Sequence, residues 1–202
     1  DVCSSVLRCQ ICDTSHWKRL TCKRHPKLQV RQSLNATHAY NRRAEVDWLI
    51  HMDVDEFLVP QGEVADVLDR LSDDVTSARV RPMELLGGST SAYKSFIPAD
   101  GARRALVQQI YPTFGAHLKG GFLSHVAGKL FVRTGLPDMY IRIHNAFQAD
   151  TMLPDAAELV QIDLAHAHAK SWDDWRAAYA YRVTQGSYRA ELKAAAKPEQ
   201  GS

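Results

Sequence analysis

The chain has 202 residues, 45% hydrophobic and 24% charged, which suits a folded domain and excludes a disordered chain. No apolar run approaches the roughly 20 residues that cross a bilayer, and no basic segment followed by an apolar stretch opens the chain, so neither a membrane span nor a signal peptide is expected. The net charge of +2 is small but unevenly placed: residues 1–45 carry nine Lys/Arg against three Asp/Glu, and residues 46–100 carry four against eleven. Such a pairing suits an anionic ligand held through a cation, and equally a solvated surface of uneven charge.

All four cysteines, Cys3, Cys9, Cys12 and Cys22, lie at the start of the chain, with His16 and His25 nearby. They supply enough ligands for a zinc site, although the spacing matches no zinc module; reduced thiols are the alternative. A helix is expected over residues 36–46. The apolar run Trp48–Met52 reads as a strand, continued by DVDEFLVP and stopped by Pro60. In EVADVLDRL (63–71), Val64, Val67, Leu68 and Leu71 fall on one face of an amphipathic helix. Strands are expected at 78–86, ended by Gly87 and Gly88, and at 104–112, 129–133, 139–144 and 159–167. Ser171 stands three residues before Asp174 and reads as the N-cap of a helix that carries Trp172, Trp175 and Tyr179 on one face. Those aromatics read first as packing residues and second as a sugar-stacking platform. The C-terminal AAAKPEQGS reads as a fraying tail. Mixed helices and strands give an α/β class and a single domain over residues 1–197, with 198–202 as tail.

WLIHMDVDEFL carries the strongest chemical signal. A buried strand delivers carboxylates to its C-terminal end, where α/β folds place ligands. Asp53 and Asp55 are two apart, so in extended backbone they point the same way and repel each other. A divalent cation removes that repulsion, and Mg²⁺ or Mn²⁺ commonly bridges carboxylates to substrate phosphates. Glu56 then points elsewhere, in a supporting role or a salt bridge. The bland alternative is a solvated acidic turn.

WLIHMDVDEFL also resembles the D-x-D-E-F signature of a subgroup of family 2-like glycosyltransferases with a GT-A fold. Two later segments are similar to that group's: IRIHNAF (141–147), with its His-Asn pair, and LAHAHAKSWDDW (164–175), with His166, Lys170 and Ser171 in an H-x-x-x-K-S arrangement. The resemblance implies a GT-A-like, Rossmann-like sandwich. It implies Mn²⁺ or Mg²⁺, a nucleotide-diphospho-sugar donor and transfer to a hydroxyl of a glycan, a lipid-linked saccharide or a small molecule. By position, Asp53 faces the donor's ribose or the metal, Asp55 ligates the metal, and His166 completes its shell. His168, two residues on, is the competing ligand. Lys129 or Lys170 would contribute a point charge to the diphosphate. Glu84, Asp138 or His125 would serve as base, with Glu84 ranked first. GGFLSHVAGK (120–129) reads as a loop over donor or acceptor, and His144 as a ligand, a base or a hydrogen-bonded structural residue.

Only 52 residues precede Asp53, so the resemblance implies a shortened nucleotide-binding front part (1–52) before a metal and acceptor part (53–197). ICDTS (11–15) is faintly similar to an early segment of such folds, with Asp13 as a base or ribose contact. A cytoplasmic enzyme, at the inner membrane face, is the expected setting, with no nucleic acid as partner. The rivals are a Mg²⁺-dependent phosphatase of the haloacid dehalogenase type, a zinc-stabilised binding module, and a degenerate transferase that binds without turnover.

Overall fold

The strand-forming stretches assemble into a six-stranded mixed sheet that curls until its two edges approach each other. The computed structural model describes residues 26–42 and 46–192. Its elements are α1 (Leu28–Asn41), β1 (Trp48–Ile50), β2 (Glu56–Pro60), α2 (Val64–Leu68), β3 (Ser77–Leu85), β4 (Tyr93–Ser95) and α3 (Arg103–Ile110). They continue with β5 (Lys129–Arg133), β6 (Met139–Ile141), β7 (Ala146–Gln148), β8 (Thr151–Met152), β9 (Ala157–His166) and α4 (Trp172–Thr184). The sheet runs β1-β5-β3-β9-β2, and β6, β7 and β8 form a small second sheet. Only β3 and β9 are parallel; the other pairs are antiparallel. On its other edge β3 pairs first with β5 and then, further along, with β4.

The curl follows from chain length. β1 and β2 are opposite edges of the five-strand path, so a flat sheet would hold them about 19 Å apart. Residues 51–55 join them, and fully extended they would reach only about 20 Å. They are not extended, because the Glu56 amide donates to the Asp53 carbonyl at 3.2 Å and closes a turn. The sheet must therefore bend, and an ion pair from Lys129 on β5 to Glu56 on β2 spans the concave side.

β5 is buried on both faces, as its apolar composition predicts. Leu130 and Val132 pack with Ala36 and Tyr40 of α1 and with Met139, Ile141 and Ala146 of the small sheet. Phe131 faces the other way, into Val67 and Leu68 of α2 and Val80, Ile162 and Leu164 of the curled sheet. Each such side chain contributes roughly 1.5–3 kcal/mol on burial. Where β5 begins, Gly128 has φ +69°, and a Cβ there would lie 2.0 Å from the Val80 carbonyl oxygen. The backbone of the loop can reach β3 only as glycine.

The observed elements differ from the expected ones in places. Residues 104–112, expected as a strand, lie largely in helix α3. Leu106, Val107 and Ile110 fit a helical face, and the Arg, Ala, Leu and Gln around them are helix formers. The first helix ends at Asn41 rather than reaching 46, and β6 stops at Ile141. Ser171 is the N-cap of α4, its Oγ accepting from the Asp174 amide at 3.1 Å. No described residue of α4 is buried, so its aromatics serve no core. The Cys/His segment and the C-terminal tail lie outside the described residues.

Candidate functional site

One face of the curled sheet is apolar until its last row. Pro82, Leu164 and Leu58 are cross-strand neighbours, and two residues on the same row positions hold Glu84, His166 and Glu56. Lys129 pairs with Val80, two pleats from Glu84 on the same face. Glu56, Glu84, Lys129 and His166 are all buried, and buried charge needs partners.

Lys129 has no solvent exposure. Its ammonium donates to Asp53 Oδ2 at 2.7 Å and lies 3.1 Å from Glu56 Oε2. Gln32 of α1 donates to the other Asp53 oxygen at 2.7 Å, and the Asp53 amide donates to Glu56 Oε2 at 2.8 Å. Burial alone would raise the Asp53 pKa. The Lys129 hydrogen bond and charge, with His51 and Gln32, outweigh it and hold that carboxyl below its ordinary range. His51 is pushed down by burial and then by Lys129.

The turn at 53–55 decides where the two aspartates go. Extended backbone was expected to aim them together. Instead Val54 stands at the tip of the turn, 99% exposed, and the carboxylates part. Asp53 turns to Lys129, and Asp55 turns to the end of β9, where its carbonyl accepts from the Ala167 amide at 2.8 Å. Glu56 takes a buried salt bridge.

Asp55 meets His166 and His168, one ligand atom of each lying within 4.8 Å of the others. Asp53 is not part of that cluster. Donors about 2.1 Å from a tetrahedral cation lie about 3.4 Å apart, so the set closes with side-chain shifts of up to about an ångström. His166 Nε2 lies 3.6 Å from Asp55 Oδ2, and its buried Nδ1 has no partner. The His166 contact, against burial, lowers the Asp55 pKa. Burial would depress His166, but Asp55, Glu56 and Glu84 raise it overall. Burial, His166 and Arg182 lower His168. Two imidazoles and a carboxylate fit a divalent transition ion, Zn²⁺, Fe²⁺ or Mn²⁺, better than Mg²⁺, which favours oxygen alone.

Glu84 is tied down on three sides. It accepts from the amides of Leu123 and Ser124 at 3.1 and 2.8 Å and pairs with Lys94 at 3.3 Å. Burial works against its ionisation, yet the Ser124 and Leu123 bonds and Lys94 hold its pKa low. The same bonds pin the 120–129 loop to β3. Arg79 fastens the other end, donating to the carbonyls of Ala127 and His144 and to Asn145. Lys170 is exposed, Asp138 sits in an exposed turn, and Asp13 lies outside the described residues. Gln32, Lys94 and Arg79 carry no local sequence signal, since their partners lie 10 to 76 residues away in the chain.

His125 and His144 meet at 3.8 Å between ring centres, and His125 lies 6.1 Å from His166. Both are pushed from 6.5 to about 4, His125 by burial, His144 and His166, and His144 by burial and Lys129. The folded state thus refuses protons that the unfolded chain takes up below pH 6.5. Stability is unaffected by these two above that value, falls as pH drops toward about 4, and His166 opposes the trend. In EDTA, the melting temperature should fall across this window and fall less in His125→Gln. An equal slope in both proteins would show that other groups carry the acid sensitivity.

Among the described residues no helix is long and apolar enough to cross a membrane. No protein-family model, curated protein or solved structure matches the chain.

Proposed function

We propose that the protein is a metal-dependent glycosyltransferase that moves a sugar from a nucleotide-diphosphate donor to an acceptor hydroxyl. The observation that carries this reading is the meeting of Asp55, from the D-x-D-E-F segment, with His166 and His168 from a segment more than a hundred residues later. The resemblance implies Asp55 and His166 as ligands and spacing offers His168 as the competitor; the three lie together at one end of the sheet. They would hold Mn²⁺, whose charge would offset the negative charge growing on the departing diphosphate.

The chain's own residues set the stage for transfer. Lys129 fixes Asp53 and Glu56, and so sets the turn that presents Asp55. During transfer the acceptor oxygen bonds to the anomeric carbon as the sugar–phosphate bond breaks. The electron pair leaves with the diphosphate, and the hydroxyl proton passes to a base. Glu84 is ionised at neutral pH and borders a pocket beside His168, so it is the group to receive that proton. Three donors make it a weak base, so the proton moves late, once the attacking oxygen has become acidic.

A thermal-shift panel of UDP, GDP, CMP and dTDP, each with Mn²⁺ and with EDTA, tests the reading at mildly alkaline pH, because the raised pKa of His166 makes protons compete with the metal at lower pH. A ligand at about 100 times its Kd adds about 2.7 kcal/mol, or roughly 5–10 °C for a chain of this size. One nucleotide should give a shift that needs Mn²⁺ and vanishes in Asp55→Ala. That side chain is partly exposed, so its loss spares the fold. His166→Ala should weaken metal binding more than His168→Ala. Absence of any nucleotide shift in a protein that melts cooperatively would reject the transferase reading. Mg²⁺-dependent hydrolysis of an aryl phosphate would put a phosphatase in its place.

A further inference from the structure

A pocket of about 370 Å³ opens next to the metal cluster, between the sheet and the start of α4, with Glu84, Lys94, Leu123, His168, Trp172 and Trp175 among its walls. Trp172, Trp175 and Tyr179 form a continuous stack along α4. Ring centres are 5.2 and 5.3 Å apart, with planes within 12° and 7° of parallel. Trp172, at the open end of the stack, is 67% exposed. A helix with no fully buried residue that keeps three large rings aligned holds apolar surface in reserve for a ligand. The rings support one another, so little side-chain freedom remains to be lost when that ligand arrives.

The floor of the pocket identifies the ligand class. Lys94 spends its donors on the Gly121 carbonyl, the Tyr111 hydroxyl and Glu84. Glu84 accepts from two amides and pairs with Lys94, and its fourth acceptor position faces only the Ser124 hydroxyl, which a donor in the pocket can displace. A nucleotide phosphate there would face that carboxylate and be repelled. A wholly apolar partner would leave it unmatched. A ligand with an apolar ring face and hydroxyl donors at its edge meets both walls. The volume falls within the roughly 300–1,000 Å³ range of small-molecule sites.

We infer that this pocket binds a pyranose ring of a neutral saccharide, one face on Trp172 and a hydroxyl donating to Glu84. Its role as the acceptor subsite rests on the transferase reading, whereas saccharide binding does not. The test is therefore run in EDTA without nucleotide. Intrinsic tryptophan fluorescence of the full chain is titrated with cellobiose, maltose, lactose and N,N′-diacetylchitobiose, and separately with uridine and UDP.

At least one disaccharide should give a saturable change. Trp172→Ala should weaken it by about tenfold, and Trp172→Tyr should retain most of it. No response to any disaccharide, or an unchanged Kd in Trp172→Ala, would overturn the inference. A response confined to uridine and UDP would do the same and give the pocket to the donor. Sedimentation velocity covers the remaining occupant: a dimer that dissociates in Trp172→Ala would mean that a second copy covers the stack. Saccharide binding with no nucleotide shift would keep the pocket and lose the transferase.

Discussion

Gly128→Ala should cost the fold roughly 3–5 kcal/mol, the sum of a left-handed backbone strained by a side chain and a collision that the strand pair cannot relieve. The new methyl group would lie 2.0 Å from the Val80 oxygen and 3.3 Å from Arg81 Cα, both backbone atoms of the central strand. A flexible side chain would move aside; β3 cannot, because β9 holds its other edge. Most domains have only about 5–15 kcal/mol in total, so the variant should be largely unfolded in mild urea. Two controls separate the causes. Gly135 has φ +93° and open space around its Cβ position, so Gly135→Ala reports backbone strain alone. Gly101 has neither strain nor neighbour, and Gly101→Ala should be close to neutral. A Gly128→Ala midpoint equal to that of Gly135→Ala would show that the approach to Val80 relaxes at no cost.

Lys129→Met should remove about 3–5 kcal/mol while keeping the shape of the side chain, because it strands buried carboxylates. Glu56 has 1% of its side chain exposed and cannot turn to water; Asp53, at 28%, retains Gln32. Urea denaturation of Lys129→Met, Glu56→Gln and the double variant gives the coupling. The double variant should be more stable than Lys129→Met alone, since the uncompensated carboxylate is then gone. If it is less stable, Lys129 acts through packing rather than charge. Loss of the pair also frees the 53–55 turn, so on the proposed function Mn²⁺ affinity should fall in Lys129→Met although Asp55, His166 and His168 are untouched.

The strands β3, β5 and β9 and the helix α4 are legible in the sequence because their signals are local. KLFVR reads as a strand, and a serine three residues before an aspartate reads as a cap. The ligand set is legible only in part. Asp55 is a candidate from its spacing to Asp53, His166 from the resemblance and His168 from its place two residues on, but the parting of Asp53 from Asp55 is not legible. It depends on a turn without glycine or proline, held by Glu56 bonding back to the Asp53 amide. Nor does KLFVR show that its lysine is wholly buried, since Asp53 and Glu56 reach it only when the sheet curls. Helix α3 reads as a strand because Val107 and Ile110 favour strands individually, while their spacing belongs to a helix. The exposure of Trp172 was hidden for a different reason: amphipathic spacing states that side chains share a face, not what that face meets.

The parallel pairing of β3 with β9 also fixes when the site comes into being. It joins Ala78 to Ala157 and Glu84 to His166, partners separated by about eighty residues of chain. Closing so long a loop costs entropy before any contact rewards it, so this pairing belongs among the slower events of folding. Until it happens, Asp55 and Glu56 sit in a chain whose β9 has yet to arrive. The site is therefore a late product of folding, formed once the sheet has curled, and a nascent chain cannot bring Asp55 to His166 until β9 has emerged.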